Sequence, residues 1–247
     1  MPKFTELQAS QNFLTSTAAI SRLLDAAPIG KEDTVVEIGA GKGHITRALA
    51  QRCAKVLAWE LDEALYARLA GNLPPNVRLF HGDFLAAPLP RGAYRVFANI
   101  PFCRTTAIVR RLTQCLNPPQ SIHIVVEKGA ALRFCGLPRE SVSSLLLHPW
   151  FDVRIARSLR REDFHPAPRV DCALLELIKR PQPDLPRGLQ GKWERFLRQD
   201  RLPLTPKQVR MALRSASLPP ISPDGKMLYV QWLCLFRCWL SLTGGRK

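Results

Sequence analysis

Apolar positions along the chain form short runs typical of buried strands, and these alternate with longer amphipathic stretches typical of helices. Compact runs at Thr34–Ile38, Lys55–Trp59 and Ser121–Val126 predict strands, whereas Leu61–Asn72 and Thr105–Leu116 predict helices. Further strands are predicted at Val77–Phe80, Tyr94–Ala98, Phe151–Leu159 and Val170–Ile178. This alternation predicts parallel βαβ units, and therefore an α/β fold built on a doubly wound sheet.

The pattern changes after a Pro- and Arg-rich segment at Arg180–Arg187, whose composition is typical of a linker. Beyond it the periodicity predicts only helices, at Trp193–Arg201, Pro206–Ser217 and Gly225–Leu240. We therefore expect an α/β domain over residues 1–180 and a small all-α domain over residues 181–247.

Three glycines at alternate positions connect the first strand to the helix that follows it. Gly39, Gly41 and Gly43 allow the backbone to turn tightly and approach a ligand, while the helix N-terminus offers free N–H groups. The dinucleotide fingerprint G-x-G-x-x-G needs its third glycine at position 44, where His44 stands. The loop therefore favours a small ligand other than a nicotinamide dinucleotide.

A carboxylate stands at or shortly after the end of each of the next two predicted strands. From its strand end Glu60 can accept the hydroxyl hydrogens of a ribose, and Asp83 can accept the amino hydrogens of an adenine. Each residue alone also fits a helix cap or a turn. Together with Glu37, Gly39 and Asn99 they resemble class I S-adenosylmethionine-dependent methyltransferases, which implies this cofactor and a Rossmann-like sheet.

The tetrapeptide Asn99-Ile100-Pro101-Phe102 follows the predicted strand Tyr94–Ala98. The Asn side-chain carbonyl and a neighbouring backbone carbonyl can accept both N–H bonds of an adenine amine, which directs its lone pair toward a methyl donor. Pro101 stiffens the turn, and Phe102 can stack on an extruded base. Asn99, Ile100 and Phe102 are therefore the candidate catalytic residues.

Several motifs together resemble the ribosomal RNA adenine N6-dimethyltransferases, and within them the Erm macrolide-resistance methyltransferases. The matching segments are Gln11-Asn12-Phe13-Leu14, Glu37-Ile38-Gly39-Ala40-Gly41-Lys42-Gly43, Glu60, Gly82-Asp83-Phe84, Asn99-Ile100-Pro101-Phe102 and Phe164-His165-Pro166-Ala167-Pro168-Arg169-Val170-Asp171. The resemblance spans nearly the whole chain. It implies S-adenosylmethionine bound by Gln11, Asn12, Leu14, Gly39, Gly41, Glu60, Asp83 and Asn99.

The resemblance further implies transfer of one or two methyl groups to one adenine of 23S rRNA before full ribosome assembly, which blocks macrolide, lincosamide and streptogramin B binding. Ile100 resembles the Erm pattern, whereas the small-subunit enzymes usually carry Leu there. Phe102 replaces the more frequent Tyr of the motif, which removes a hydroxyl and keeps the stacking face.

Charge supports a polyanionic partner. The formal net charge is +16, and residues 151–247 contain 19 Lys and Arg against 9 Asp and Glu. Basic residues after the acceptor motif and after the fifth predicted strand are the candidate RNA-binding residues: Arg104, Arg110, Arg111, Lys128 and Arg133.

The seven cysteines are odd in number and form no C-x-x-C pair, so we expect neither a disulfide framework nor a metal site. The N-terminus lacks an apolar leader, and no apolar run approaches the roughly 20 residues of a membrane span. We expect a cytoplasmic monomer.

Three other functions compete with this prediction. A 16S rRNA adenine dimethyltransferase would share almost every motif. A non-catalytic RNA-binding or assembly factor on the same fold would retain the pocket without turnover. A DNA adenine methyltransferase usually carries Asp/Asn-Pro-Pro-Tyr, which Asn99-Ile100-Pro101-Phe102 does not match.

Overall fold

The computed structural model describes residues 12–243, and its largest sheet has seven strands. In chain order the strands are β1 (Phe13–Leu14), β2 (Thr34–Ile38), β3 (Lys55–Glu60), β4 (Val77–His81), β5 (Arg95–Asn99), β6 (Ser121–Glu127), β7 (Phe151–Leu159), β8 (Phe164–His165) and β9 (Cys172–Lys179). The helices are α1 (Thr17–Asp25), α2 (His44–Ala50), α3 (Glu63–Leu69), α4 (Thr105–Gln114), α5 (Lys128–Phe134), α6 (Val142–Leu145), α7 (Gln190–Leu197), α8 (Pro206–Ser215) and α9 (Tyr229–Thr243).

The strand order in the large sheet is β4-β3-β2-β5-β6-β9-β7. Strands β2 to β6 pair in parallel, as the alternating pattern predicts, whereas β9 runs antiparallel to β6. The chain passes outward from β2 to β4 and then returns to β5 on the other side of β2. This reversal creates a crevice at the carboxyl ends of β2 and β5, which is where ligands of such sheets bind.

The central strands are buried because their side chains are apolar on both faces. Val35, Val36, Val56, Ala58 and Phe97 have no measurable exposure. A sheet covered by helices on both faces requires such continuous apolar strands.

Local capping sets where two helices of this fold begin. The Ser16 side chain accepts a hydrogen bond from the Ala19 N–H at the start of α1. At the start of α3, Asp62 accepts from the N–H groups of Ala64 and Leu65. Helix α3 therefore begins at Glu63, slightly later than the sequence predicts.

The chain divides into two compact units. One comprises the described residues up to 131 together with 152–179, and the other comprises 132–151 together with the described residues from 180 onward. The predicted boundary after residue 180 assigns residues 132–151 to the first domain, whereas the structure places them in the second unit. Two indole hydrogen bonds hold this segment in the second unit: Trp193 donates to the Leu145 carbonyl at 2.7 Å, and Trp150 donates to the Leu185 carbonyl at 2.8 Å.

Aromatic packing forms the core of the second unit. Phe236 of α9 packs edge-on against Trp193 of α7, with ring centroids 4.9 Å apart, and against Phe196 at 5.4 Å. Helix α9 thus buries one apolar face. Between residues 12 and 243, no helix is long and apolar enough to cross a membrane.

We expect Phe236→Ala to lower the free energy of unfolding of the second unit by about 3–5 kcal/mol, because it leaves a cavity among three aromatic rings. Met211→Ala is the control, since the Met211 residue is 60% exposed, and it should change stability by less than about 0.5 kcal/mol. Urea unfolding followed by tryptophan fluorescence measures both. Equal losses in the two variants would contradict this account of the core.

Candidate active site

A pocket opens at the carboxyl ends of β2, β3 and β5, and it is walled on one side by β1. Eight of the predicted catalytic and cofactor-binding residues line it: Asn12, Leu14, Gly39, Gly41, Glu60, Asp83, Asn99 and Ile100. Gln11 lies outside the described residues. Residues far apart in the sequence thus meet where the strand order reverses, as expected from the ends of parallel strands.

The glycine loop requires glycine for two separate reasons. Gly39 and Gly41 have φ angles of 80° and 56°, in the left-handed region that side chains disfavour. A Cβ on Gly39 would lie 3.2 Å from the carbonyl oxygen of Asn99, and a Cβ on Gly41 would lie 3.0 Å from the Phe13 ring. The loop therefore packs closely against both the acceptor motif and β1.

The Glu60 carboxylate is fixed at the end of β3. It is 4% exposed, and its two oxygens accept hydrogen bonds from the N–H groups of Gly41 at 2.6 Å and Asp62 at 2.9 Å. Each oxygen retains a further lone pair toward the pocket. Glu60 therefore ties the glycine loop to β3 and still offers two acceptors for hydroxyl groups.

Glu37, one position before the end of β2, is buried beneath the glycine loop. It is 1% exposed, and neither carboxylate oxygen has a hydrogen-bond partner among residues 12–243. Burial raises the pKa of Glu37 to about 8; the neighbouring Thr46 hydroxyl opposes this shift, and the charge of Glu60 adds to it. Glu37 itself is not among the residues that line the pocket.

Asp83 is paired with a residue that the sequence analysis assigned to RNA. The Arg104 guanidinium donates to one Asp83 oxygen at 2.6 Å, and the Leu85 N–H donates to the other at 2.9 Å. Partial burial alone would raise the pKa of Asp83, but these two hydrogen bonds outweigh it, so the pKa lies below its ordinary value. The Arg104 side chain is only 15% exposed and itself lines the pocket.

The acceptor tetrapeptide begins at the last residue of β5. The Asn99 side-chain nitrogen donates to the Asn12 carbonyl at 3.1 Å, which holds the segment before β1 against the pocket. Ile100 and Pro101 line the pocket. Phe102 is half-buried and packs against the hydrophobic core, so stacking on a base would use the part of its ring that the core leaves exposed.

The other predicted RNA contacts differ in exposure and belong to both units. Arg110 and Lys128 are exposed, whereas Arg111 is partly buried and donates to the Ala87 carbonyl. Arg133 is exposed in the second unit, with its guanidinium 5.6 Å from the Phe134 ring centroid. Arg110 and Lys128 are thus the exposed cations among the candidates in the first unit.

The pocket also contains residues that sequence reasoning did not assign to it. Trp59 lies on its wall, stacked on Phe80 at 4.6 Å between ring centroids, and Phe84 packs edge-on against the same indole. His44, which stands where the dinucleotide fingerprint would need a glycine, lines the pocket as well. The local sequence pattern does not identify Trp59 as a pocket residue. The apolar pattern along β3 predicts that its side chains are buried but does not show what they contact.

Comparison with known proteins identifies the family. A family model described as ribosomal RNA adenine dimethylase matches residues 5–215. The chain belongs to this family. An rRNA adenine N-6-methyltransferase of Escherichia coli is 32% identical over 249 residues and covers 98% of each chain. The family prediction and the predicted enzyme class, an S-adenosylmethionine-dependent rRNA adenine N6-methyltransferase, are therefore confirmed.

Two further similarities concern the substrate. The crystal structure of the 23S rRNA methyltransferase ErmE matches with a TM-score of 0.77 and 26% identity, and covers 92% of this chain and 99% of that one. A ribosomal RNA small subunit methyltransferase A of Streptococcus equi subsp. zooepidemicus is 35% identical over 187 residues, covering 70% of this chain and 64% of the relative. The class I methyltransferase fold with a helical C-terminal part is confirmed.

The buried Glu37 carboxyl group predicts a pH-dependent stability in the absence of cofactor. The folded chain holds the proton up to about pH 8, whereas an unfolded chain releases it near 4.5. Between these values the unfolded state binds fewer protons, so stability falls as pH rises, by up to about 1.4 kcal/mol per pH unit.

We therefore expect Glu37→Gln to lack this decline, so that its stability advantage over the natural chain grows from pH 5 to pH 8. Urea unfolding at several pH values measures the difference. Glu32→Gln, at an exposed position, is the control and should follow the natural chain. Parallel pH profiles for all three proteins would show that Glu37 is not held protonated.

Proposed function

We propose that the pocket at the carboxyl ends of β2, β3 and β5 binds S-adenosylmethionine and presents to it the N6 amine of an adenine in 23S rRNA. The observation that supports this most is the meeting of two groups of residues in one pocket. Gly39, Glu60 and Asp83 form its cofactor side, and Asn99 and Ile100 form its acceptor side.

The residues of the cofactor side suit the parts of S-adenosylmethionine. The spare lone pairs of Glu60 suit two ribose hydroxyls, and Asp83, oriented by Arg104, suits an adenine amino group. Gly39 leaves open a space that a Cβ would fill.

The acceptor side rests on the orientation of one amide. Because the Asn99 nitrogen donates to the Asn12 carbonyl, the amide is held in one orientation, and its oxygen accepts no hydrogen bond from another described residue. This oxygen can accept a hydrogen bond from one N–H of the target amine. The amine then stays neutral, and its lone pair is directed toward the methyl donor. Ile100 and Pro101 bound the space beside it.

The cofactor supplies an electrophilic methyl group on a sulfonium. The protein's task is positioning, because an aromatic amine needs no strong base and its methylated cation loses a proton readily to water. The proposal accordingly assigns no histidine as a general base.

The large-subunit target is supported by the similarity to ErmE over 92% of this chain and by Ile100 in the acceptor motif. Methylation there would confer resistance to macrolides, lincosamides and streptogramin B. We propose that the enzyme acts as a cytoplasmic monomer on rRNA that is not yet fully assembled. Small-subunit rRNA is the second candidate, since a relative named for that subunit matches most of the chain.

Asn99→Ala should reduce kcat by at least about 100-fold, because it removes the acceptor that orients the amine, with only a modest loss of cofactor affinity. Glu60→Ala should instead raise the cofactor Kd by about 10- to 100-fold, because it removes charged hydrogen bonds. Isothermal titration and single-turnover assays separate the two effects.

Asn72→Ala provides the matched control, since this asparagine is exposed and lies outside the pocket. Near-normal turnover of Asn99→Ala would overturn the acceptor assignment. An unchanged cofactor Kd in Glu60→Ala would overturn the cofactor assignment.

The target is tested by incubating the protein and labelled S-adenosylmethionine with 23S rRNA, 16S rRNA and duplex DNA, followed by mapping of the modified base. We expect label on a single adenine of 23S rRNA. Label confined to 16S rRNA would replace the large-subunit proposal with its alternative. Label on none of the three would favour a binding or assembly factor.

A further inference from the structure

A second concave surface of the first unit is formed by α1 and by the end of β7. It is lined by Arg22 and Leu23 of α1, by Arg157, Ser158 and Leu159 of β7, and by Arg160 and Asp163 beyond it, with Ala19 at its edge. Three arginines thus line one depression. None of these residues lines the pocket proposed for the cofactor.

A buried carboxylate organises this surface. Asp163 is 6% exposed; one of its oxygens is 3.4 Å from the Arg22 guanidinium, and the other accepts from the Arg160 backbone N–H at 3.1 Å. The bond to Arg22 is long and uses a single nitrogen, so most of the Arg22 donors remain available. Asp163 therefore positions two of the arginines and neutralises only part of their charge.

The remaining charges leave the surface positive. The Arg157 side chain is exposed, and it makes no ion pair or hydrogen bond with the described residues 12–243. Arg160 pairs with Glu162 at 2.7 Å, but both side chains are more than two-thirds exposed, and such exposed pairs are weak. Arg161, next to the surface, is directed to Asp171 at 3.3 Å.

The same segment is joined to the wall of the active site. Strand β8 follows Asp163 directly and pairs with β1, and the Thr15 N–H donates to the Asp163 carbonyl at 3.4 Å. The cofactor pocket is lined by residues of and next to β1, namely Asn12, Phe13 and Leu14. A group bound at the arginines would therefore be held on the unit that carries the chemistry.

We propose that Arg22, Arg157 and Arg160 form a binding site for a backbone phosphate of the RNA substrate. Guanidinium groups suit phosphate because their planar donors match its oxygens. The site fixes the position of the RNA backbone next to the target adenine. It contributes no base specificity, because it contacts phosphate only. This inference rests on the proposed function only in requiring that the substrate is RNA.

The test is RNA binding measured as a function of KCl concentration from 50 to about 200 mM. The natural chain is compared with Arg157→Ala, Arg157→Lys and the double variant Arg157→Ala/Arg160→Ala. Arg22 is left in place because it contacts the buried Asp163. Arg91→Ala is the matched control, an exposed arginine of the same unit outside both pockets.

Because the arginines hold a single phosphate, the double variant should reduce the slope of log K against log salt by about 0.7. Arg157→Lys should retain most of the slope, and Arg91→Ala all of it. Cofactor Kd should be the same in every variant. An unchanged slope in the double variant, or an equal loss in Arg91→Ala, would overturn the proposal.

Two controls distinguish a site for an RNA phosphate from a site for a free anion, and keep the result independent of which rRNA is the target. Stabilisation of the natural chain by millimolar inorganic phosphate, combined with unchanged RNA binding in the variants, would indicate a free-anion site and would also overturn the proposal. Methyl transfer by the natural chain is measured with 23S and 16S rRNA first, and the binding series then uses whichever RNA is methylated. If the large-subunit target fails, the role of the arginines is therefore still tested.

Discussion

The close approach of Gly39 to the Asn99 carbonyl is the constraint on which the rest of the site depends. A single added carbon at Gly39 would lie 3.2 Å from that oxygen, so the cofactor loop and the acceptor motif are as near as backbone packing allows. The two loops leave neighbouring parallel strands at the point where the strand order reverses. Methyl transfer needs its two reactants in contact, and the fold provides this through the spacing of two backbones.

Two carboxylates then secure the loops from the side of β3 and β4. Glu60 holds the Gly41 N–H, and Asp83 holds Arg104, which follows the acceptor tetrapeptide by two residues. The groups assigned to the cofactor therefore also restrain the segments that shape the acceptor side.

Much of this site could be predicted from the sequence because strand ends and glycine spacing are local signals. Gly39, Glu60, Asp83 and Asn99 each follow a recognisable strand, and parallel strands bring such ends together. Other features depend on contacts between distant residues and leave no local mark. The Arg104 guanidinium pairs with Asp83, and two indole hydrogen bonds hold segment 132–151 in the second unit. Strand β9 pairs antiparallel with β6.

The pairing of β1 with β8 has a consequence for how the enzyme is made. Residues 13 and 14 of the pocket wall are held by residues 164 and 165, near the other end of the catalytic unit. A ribosome releases the chain from its N-terminus, so the first strand emerges long before its partner exists. The enzyme that modifies ribosomal RNA thus acquires a complete pocket only after most of its own translation is finished.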